Sequence, residues 1–351
     1  MSSKVSMPSK IFGTVLSHGL RGRMLTRSEL QTLAESRDIE ELVTRLKNTV
    51  YLDVLAKLTS PYSAEKVEGA LREYLVNQHA KMVNISGGSG ILNAYFVKYI
   101  IMNLKMVLKG KALGKTYEEL LPKINLRAEE LVGRRDLVVK ALVAKDLEEA
   151  VGSLAGSEFG EDAAKAAAAY KEKGDVRLFD TYLDHAFHHA LHRALVTEAN
   201  APDVKKLVAT DIDSYNVLAV LRGKFWGLSR QDITDLIVTT TPKVTREILM
   251  KMINTEKLTE AIGELNDTVY RDIVPQNIVN DIDAIMQLEA GFESVALKRV
   301  ASSFRAVFTV AIMLSAIKLM MIEVRNLAAI AAGVEQKVPA ETIMQRLIGL
   351  A

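Results

Sequence analysis

The sequence contains no cysteine, which excludes disulfide bonds and thiolate metal sites and fits a reducing compartment. Aromatic residues make up only 6% of the 351 residues and proline occurs seven times, whereas hydrophobic residues reach 49%. This balance favours helices over sheets. The formal net charge of +2 is too small to predict a surface for nucleic acid. The N-terminus lacks an apolar segment of signal-peptide length.

Long hydrophobic runs are also missing. The most apolar stretch covers residues 306–317 and is bounded by Arg305 and Lys318. It falls well short of the roughly 20 residues that a membrane-spanning helix needs. The stretch therefore predicts a buried helix, and a re-entrant or membrane-surface role is the alternative.

One pattern, in contrast, is present three times. An asparagine is followed seven residues later by a glycine, and thirteen residues later by a residue that can start a new helix. The three sets are Asn103, Gly110 and Thr116; Asn216, Gly223 and Ser229; and Asn326, Gly333 and Pro339. We predict that a helix ends at each glycine in a left-handed conformation and that a second helix follows. Lys109 and Arg222 precede two of these glycines, where a cation complements the helix dipole.

A second block repeats in the same order. Residues 39–46, 147–154 and 258–265 share one pattern, at offsets of 108 and 111 residues. The asparagine–glycine sets are offset by 113 and 110 residues. The chain is therefore interpreted as three copies of a unit of about 110 residues, longer than the repeats of solenoid proteins. We expect helical domains at residues 1–125, 126–238 and 239–351.

No run alternates strictly between apolar and polar residues, so we predict an all-α fold. The three asparagines are expected to be buried and to hydrogen-bond to a neighbouring helix or loop. The alternative is that equivalent ends of the copies, marked by the signature residues Asn103, Gly110, Asn216, Arg222, Gly223, Asn326 and Gly333, face a shared partner.

Four histidines fall within one predicted helix: His185, His188, His189 and His192. Steps of three and four residues place them on one side, opposite an apolar stripe that includes Leu183 and Phe187. Pairs four residues apart could bind a transition metal, but no HExxH-type glutamate lies between them. We predict a solvated or interface face rather than a metal site.

Residues 86–90, SGGSG, could suggest a phosphate-binding loop. No strand precedes them and no Lys-Ser/Thr pair follows, so nucleotide binding is not predicted. No serine, histidine and aspartate suggest a catalytic triad. The sequence therefore predicts no catalytic, cofactor-binding or metal-binding residues.

The spacing and order of these motifs resemble a known family. Asp213 and Asn216, the stretch 221–224 (LRGK) and Gly227-Leu-Ser229 look like the middle repeat of the C subunit of the archaeal A-type (A/V-type) ATP synthase, the equivalent of the d subunit of V-ATPases. Residues 103–105 with 109–111, and 323–327 with Gly333 and Pro339, resemble its first and third repeats. The resemblance covers essentially the whole chain.

The resemblance implies a funnel of three similar helical bundles around a pseudo-threefold axis. It implies a non-catalytic rotor subunit on the cytoplasmic face of the membrane, without a cofactor. Its partners would be the central stalk, whose end enters the cavity, and the membrane rotor ring of proteolipid subunits. The protein would transmit torque for proton- or sodium-coupled ATP synthesis or hydrolysis. Alternatives from other classes are a soluble helical adaptor unrelated to the ATPase and, more weakly, an all-α metalloenzyme that uses the histidine helix.

Overall fold

The computed structural model describes residues 6–197, 202–239, 241 and 243–349. Within these ranges the secondary structure is entirely helical, which confirms the all-α prediction. The α-helices are α1 (Met7–Arg21), α2 (Arg27–Ala34), α3 (Ile39–Leu46), α4 (Leu52–Leu55), α5 (Ala64–Ile85), α6 (Gly90–Ala112), α7 (Tyr117–Leu120), α8 (Arg127–Leu131), α9 (Arg135–Val143), α10 (Leu147–Ser153), α11 (Gly160–Lys173), α12 (Leu178–Thr197), α13 (Pro202–Phe225), α14 (Arg230–Asp235), α15 (Arg246–Asn254), α16 (Leu258–Gly263), α17 (Asp281–Ser303), α18 (Val310–Glu335) and α19 (Ala340–Gln345).

Short polar side chains begin many of these helices. The Thr116 hydroxyl accepts a hydrogen bond from the Glu119 amide, and the Glu119 carboxylate accepts one from the Thr116 amide, so the expected capping box is present. The Ser229 hydroxyl accepts from the Asp232 amide at the start of α14. Because the first amide groups of a helix have no partner within it, these contacts fix where each helix starts.

The six longest helices form a closed ring. Each packs against the next in the order α5, α6, α12, α13, α17, α18, and α18 packs back against α5. Contacts such as Lys105–Asp184 and Lys109–Asp180 show that α6 and α12 are antiparallel. Contacts between the end of α13 and the start of α17, and between the start of α5 and the end of α18, show the same for these pairs. Therefore α6, α13 and α18 start at one end of the ring, where α5, α12 and α17 finish. We call this the narrow end, because side chains of α6, α13 and α18 meet across the ring in that half, and the opposite one the wide end.

The shorter helices pack outside the ring in three matching sets. Helix α6 contacts α7, α9 and α10; α13 contacts α14, α15 and α16; and α18 contacts α19, α2 and α3. Each set is completed by one antiparallel ring helix, which is α12, α17 or α5, respectively. The third set thus joins the two ends of the chain. These sets cross the expected boundaries near residues 125 and 238, and the division into domains remains a prediction.

The prediction that Gly110, Gly223 and Gly333 end their helices in a left-handed conformation is wrong. Each helix continues two residues beyond the glycine, and none of the three has a positive φ. Positive φ instead occurs four residues later, at Gly114, Gly227 and Lys337. The amide one residue further along donates to the glycine carbonyl at 2.8–2.9 Å in all three, as in a Schellman motif.

These glycines are instead required by the close approach of the next short helix. A Cβ atom at Gly110 would lie 2.3 Å from Leu120, one at Gly223 would lie 2.7 Å from Ile233, and one at Gly333 would lie 2.6 Å from Ile343. The contacted residue is ten positions after the glycine each time. Glycine therefore lets each hairpin fold tightly, through its lack of a side chain and not through its φ.

The second repeated block makes equivalent contacts in its three copies. The hydroxyls of Thr49, Ser157 and Thr268 donate to the carbonyl oxygens of Leu46, Leu154 and Leu265 at 2.6–2.7 Å. The same hydroxyls accept from the amides of the aromatic residues two positions on, which are buried: Tyr51, Phe159 and Tyr270. The same local turn therefore occurs three times, and each time it places an aromatic ring in the core.

At this aromatic position, the second copy differs from the other two because its ring has no hydroxyl group. The Tyr51 hydroxyl donates to Glu323, and the Tyr270 hydroxyl donates to Asp213 at 2.6 Å. Both acids lie three residues before the repeated asparagine, and the equivalent residue in the first copy is the buried Ile100. Phe159 has no hydroxyl to donate. Donor and acceptor are therefore lost together, which avoids an unpaired buried polar group.

The apolar run at residues 306–317 is mostly part of the core. Val310–Ile317 form the first two turns of α18, and all eight residues are buried, as predicted. Among the described residues, one helix is long and apolar enough to span a membrane: α6, with a mean hydropathy of 1.4. Because 67% of that stretch is buried within the protein, we interpret α6 as a core helix.

Candidate functional site: the cavity inside the helix ring

The helix ring encloses two adjoining cavities of about 460 and 320 Å³. Lys98, Met321 and Arg325 line both, so the two are neighbours inside the ring, and we call them together the central cavity. The larger part is lined by α6, α12, α13, α17 and α18, and the smaller part adds α5. All six ring helices therefore contribute to one site.

Three ring helices meet at the narrow end of the cavity. The Tyr95 hydroxyl of α6 and the Lys318 ammonium of α18 both donate to the Asp211 carboxylate of α13, the latter at 2.6 and 2.7 Å. Burial alone would raise the pKa of Asp211, but the charge and hydrogen bonds of Lys318 and the hydrogen bond from Tyr95 together outweigh it, so this pKa lies below its usual value. The contact holds α6, α13 and α18 together and closes this end.

Towards the wide end, ion pairs connect neighbouring helices instead of crossing the cavity. Lys105 pairs with Asp184 at 2.6 Å, joining α6 to α12. Arg222 pairs with Glu289 at 2.8 Å, joining α13 to α17, and Arg325 with Glu293 at 2.5 Å joins α18 to α17. The charges thus lie along the wall, and the centre stays open.

Lys98 is a cation of the wall without a carboxylate at ion-pair distance among the described residues. Its ammonium lies 6.0 Å from the Phe187 ring centroid and contributes to both parts of the cavity. Burial lowers its pKa, although Asp211 and Asp184 partly offset this. The lining of the central cavity therefore carries one cation more than it has carboxylates.

The histidine helix is α12, whose histidines were predicted on a solvated or interface face; the structure exposes one of them and packs others against neighbouring helices. His189 is exposed, but His188 lines the cavity and stacks on Tyr215 with ring centroids 4.1 Å apart. His185 contacts the Asp162 carboxylate at 2.9 Å. Helix α12 packs against α6, α11 and α13, which cover much of its surface and leave His189 exposed. Among the described residues, no three metal-binding side chains converge.

His188 should make stability depend on pH. Burial lowers its pKa to about 4, whereas an unfolded histidine has a pKa near 6.5. Between these values the unfolded chain binds the proton more readily, so we expect the stability contributed by neutral His188 to fall as pH drops from 6.5 to 4. A His188→Phe variant keeps the ring stacking and should lose less thermal stability across this range. Equal losses in both proteins, measured as melting temperature against pH, would contradict this prediction.

The repeated asparagines bind the ends of their hairpins. The Asn103 amide donates to the Asn125 carbonyl at 2.8 Å, and Asn216 accepts from the Val238 amide at 3.2 Å. Asn326 accepts from the Ile348 amide at 2.9 Å. Each partner lies 22 residues after its asparagine. The expected bond to a neighbouring loop is therefore present in all three.

The sequence-predicted residues only partly coincide with the cavity. Asn103 and Arg222 line it, whereas Gly110, Gly223 and Gly333 face their own hairpins. The residues that close the narrow end, Tyr95, Asp211 and Lys318, are not among the sequence-predicted ones. The sequence feature that could have pointed to the cavity is a charged residue within an apolar helix. Lys98 and Lys318 interrupt the hydrophobic stretches of α6 and α18 in this way.

Residues 14–346 match the family described as ATP synthase (C/AC39) subunit. The chain belongs to this family. Several relatives are named as the C subunit of an A-type ATP synthase. The protein of Methanocaldococcus jannaschii is 26% identical over 93% of this chain and 83% of its own length. That of Pyrococcus horikoshii is 27% identical over 94% and 87%, and that of Haloferax volcanii 26% over 88% of each. Membership in the C/AC39 family makes the chain a subunit of the rotary ATP synthase.

Proposed function

We propose that the chain is the non-catalytic rotor subunit that joins the central stalk of an A-type ATP synthase to the membrane rotor ring. The observation that carries this proposal is the central cavity, whose two adjoining parts are together lined by all six ring helices. A single central stalk that binds on the axis of such a ring can contact all six helices at once. The relatives' name supports placement in the same complex. Within that complex, we propose that the chain lies on the cytoplasmic side of the membrane.

The stalk should enter at the wide end. The narrow end is closed by Tyr95, Asp211 and Lys318. At the wide end, the cavity is lined by Arg222, near the end of α13, and by Ile348, near the end of the chain. Torque would pass from the stalk to the ring helices, which resist deformation because packed protein interiors are dense. The ion pairs between neighbouring helices oppose their separation under load. Three similar bundles around one axis remain part of this proposal.

The alternative of an adaptor unrelated to the ATPase is disfavoured by family membership. The metalloenzyme alternative is disfavoured by the position of α12, since His188 is stacked on Tyr215 and His185 is bound to Asp162.

The test is reconstitution of the complex with and without this chain. Without it, we expect the catalytic head to continue hydrolysing ATP while ion pumping falls sharply, because rotation no longer reaches the membrane ring. A Ser214→Trp variant places a large ring in the cavity and should weaken stalk binding at least tenfold. Ser28→Trp, on the exposed face of α2, is the matched control and should bind normally. Pumping that persists without the chain, or ATP turnover by the purified chain, would exclude the proposal.

A further inference from the structure

We propose that the narrow end of the helix ring binds the anionic headgroups of a lipid bilayer directly. This goes beyond coupling between the stalk and the ring proteins, because the ligand is lipid and not a protein. The proposal depends on charge, on exposed apolar side chains and on backbone conformation at this end.

The narrow end is strongly basic. It comprises α1, the last turns of α5, α12 and α17, the first turns of α6, α13 and α18, and the loop 304–309. Nine basic residues lie here: Lys10, Arg21, Lys81, Arg193, Lys205, Lys206, Lys298, Arg299 and Arg305. The described part of this end has one acidic residue, Asp203, and Glu198 lies outside the described residues. Since the whole chain carries only +2, the rest of the molecule is net negative.

Most of these cations are available to a ligand, although the Arg21 guanidinium lies 4.6 Å from the centroid of the Phe304 ring and Arg299 donates to the Lys206 carbonyl. Seven of the nine are exposed, and Lys10 and Arg299 are half-buried. Only Lys206 has a carboxylate within ion-pair distance among the described residues, and its contact with Asp203 is a loose one at 3.7 Å. Near an anionic membrane surface such residues are attracted to the headgroups, and salt weakens this attraction.

Apolar side chains are exposed at the same end. Met7, Ile11, Phe12 and Val15 follow one face of α1, and Phe12 and Val15 are 59% and 65% exposed. The opposite face is fixed against the core, where Gly13 contacts Met313 of α18. A helix with an apolar outer face, basic residues and no acidic residue has the composition of an interfacial membrane helix.

The loop 304–309 extends this apolar surface. Val307 and Phe308 are 49% and 43% exposed. Phe308 has a φ of 61°, a left-handed conformation that is unfavourable for a bulky residue. Its amide donates to the Thr14 hydroxyl of α1 at 2.9 Å, which fixes the loop beside that helix. A backbone held in an unfavourable conformation that leaves an aromatic ring in solvent is explained if the ring enters a lipid interface.

A second exposed apolar cluster, outside the narrow end, differs from the one on α1 and the loop 304–309 in its charge. Val279, Ile282 and Met286, at the start of α17, are 86%, 51% and 64% exposed. Asp281 and Asp283 lie among them, so an anionic surface would repel this cluster. The two clusters are similar in apolar character and opposite in charge. The acidic cluster therefore provides a matched control.

The test is cosedimentation of the isolated full-length chain with vesicles that contain no ATPase component. We expect binding to vesicles of phosphatidylglycerol and phosphatidylcholine, at least tenfold weaker binding to pure phosphatidylcholine, and loss of binding in high salt. Phe12→Ser/Val15→Ser/Phe308→Ser and, separately, Lys205→Gln/Lys206→Gln/Arg305→Gln should each weaken binding at least tenfold. Circular dichroism checks that both variants remain folded.

The control variant Val279→Ser/Ile282→Ser/Met286→Ser should bind the anionic vesicles as the parent chain does. The lipid proposal is overturned if the folded parent chain binds no vesicles, binds both compositions equally, or loses as much affinity in the control as in the test variants. It is equally overturned if the narrow end binds purified ring protein but not lipid. Because no stalk or ring protein is present in the vesicle assay, its failure would leave the rotor proposal intact.

Discussion

Lys318→Met is expected to lower the free energy of unfolding by about 3–5 kcal/mol, because it leaves a buried carboxylate without its cation. The Lys318 and Asp211 side chains are only 12% and 17% exposed, so water replaces little of the lost interaction. The pKa of Asp211, now held low by Lys318, should rise in the variant. Chemical denaturation of the purified chain measures the loss.

The double variant Lys318→Met/Asp211→Leu tests the reason for that loss. Removing both charges eliminates the unpaired carboxylate, so most of the stability should return, as when buried ion pairs are replaced by apolar side chains. Lys251→Met, which breaks a surface pair with Glu247, should leave the melting temperature unchanged. If Lys318→Met is as stable as the parent chain, the narrow end is not held by this contact.

Gly223→Ala is expected to destabilise the protein by about 1–3 kcal/mol, because the added methyl group overpacks a well-filled site. The new Cβ would lie 2.7 Å from Cγ1 of Ile233, a β-branched side chain with little freedom to move. Since φ at Gly223 is not positive, backbone strain does not contribute. Ile233→Ala should partly rescue the variant, which the melting temperatures of the single and double variants would show.

Gly69→Ala is the matched control for a glycine inside a long helix. Gly69 lies within α5, and a Cβ there would meet no atom within 4 Å. Alanine should therefore stabilise the protein, by about 0.5–1 kcal/mol. Opposite signs at Gly223 and Gly69 would separate the effect of close packing from general helix propensity; equal signs would contradict the assigned role of Gly223.

Much of the local structure could be predicted from the sequence, because it depends on contacts between near neighbours. The capping of α7 by Thr116 and of α14 by Ser229 involves residues three positions apart. The repeated asparagines were correctly expected to bind a neighbouring segment, since a buried amide in a helix needs a partner. The buried start of α18 followed from twelve residues without charge.

The errors concern tertiary contacts. Gly110 and its equivalents were assigned to helix ends because a glycine before a new helix is typical of a left-handed turn. The structure places that turn four residues later and uses the glycine for packing. His188 was assigned to a polar face because the helical periodicity does not show that a second helix, α13, covers that face. The cavity was not predictable from residue pattern, because its wall combines six distant segments.

The joining of α18 to α5 has a consequence for how the protein is made. The Glu323 carboxylate accepts from the Leu25 amide across 298 residues of sequence, and the Ala64 amide donates to Glu335 across 271. On the ribosome, helices α1 to α5 are therefore complete long before α18, the helix against which they pack, has been synthesised. Until then their apolar faces stay exposed to solvent. We therefore expect the first segment to require chaperone protection until α18, the last long helix, leaves the ribosome.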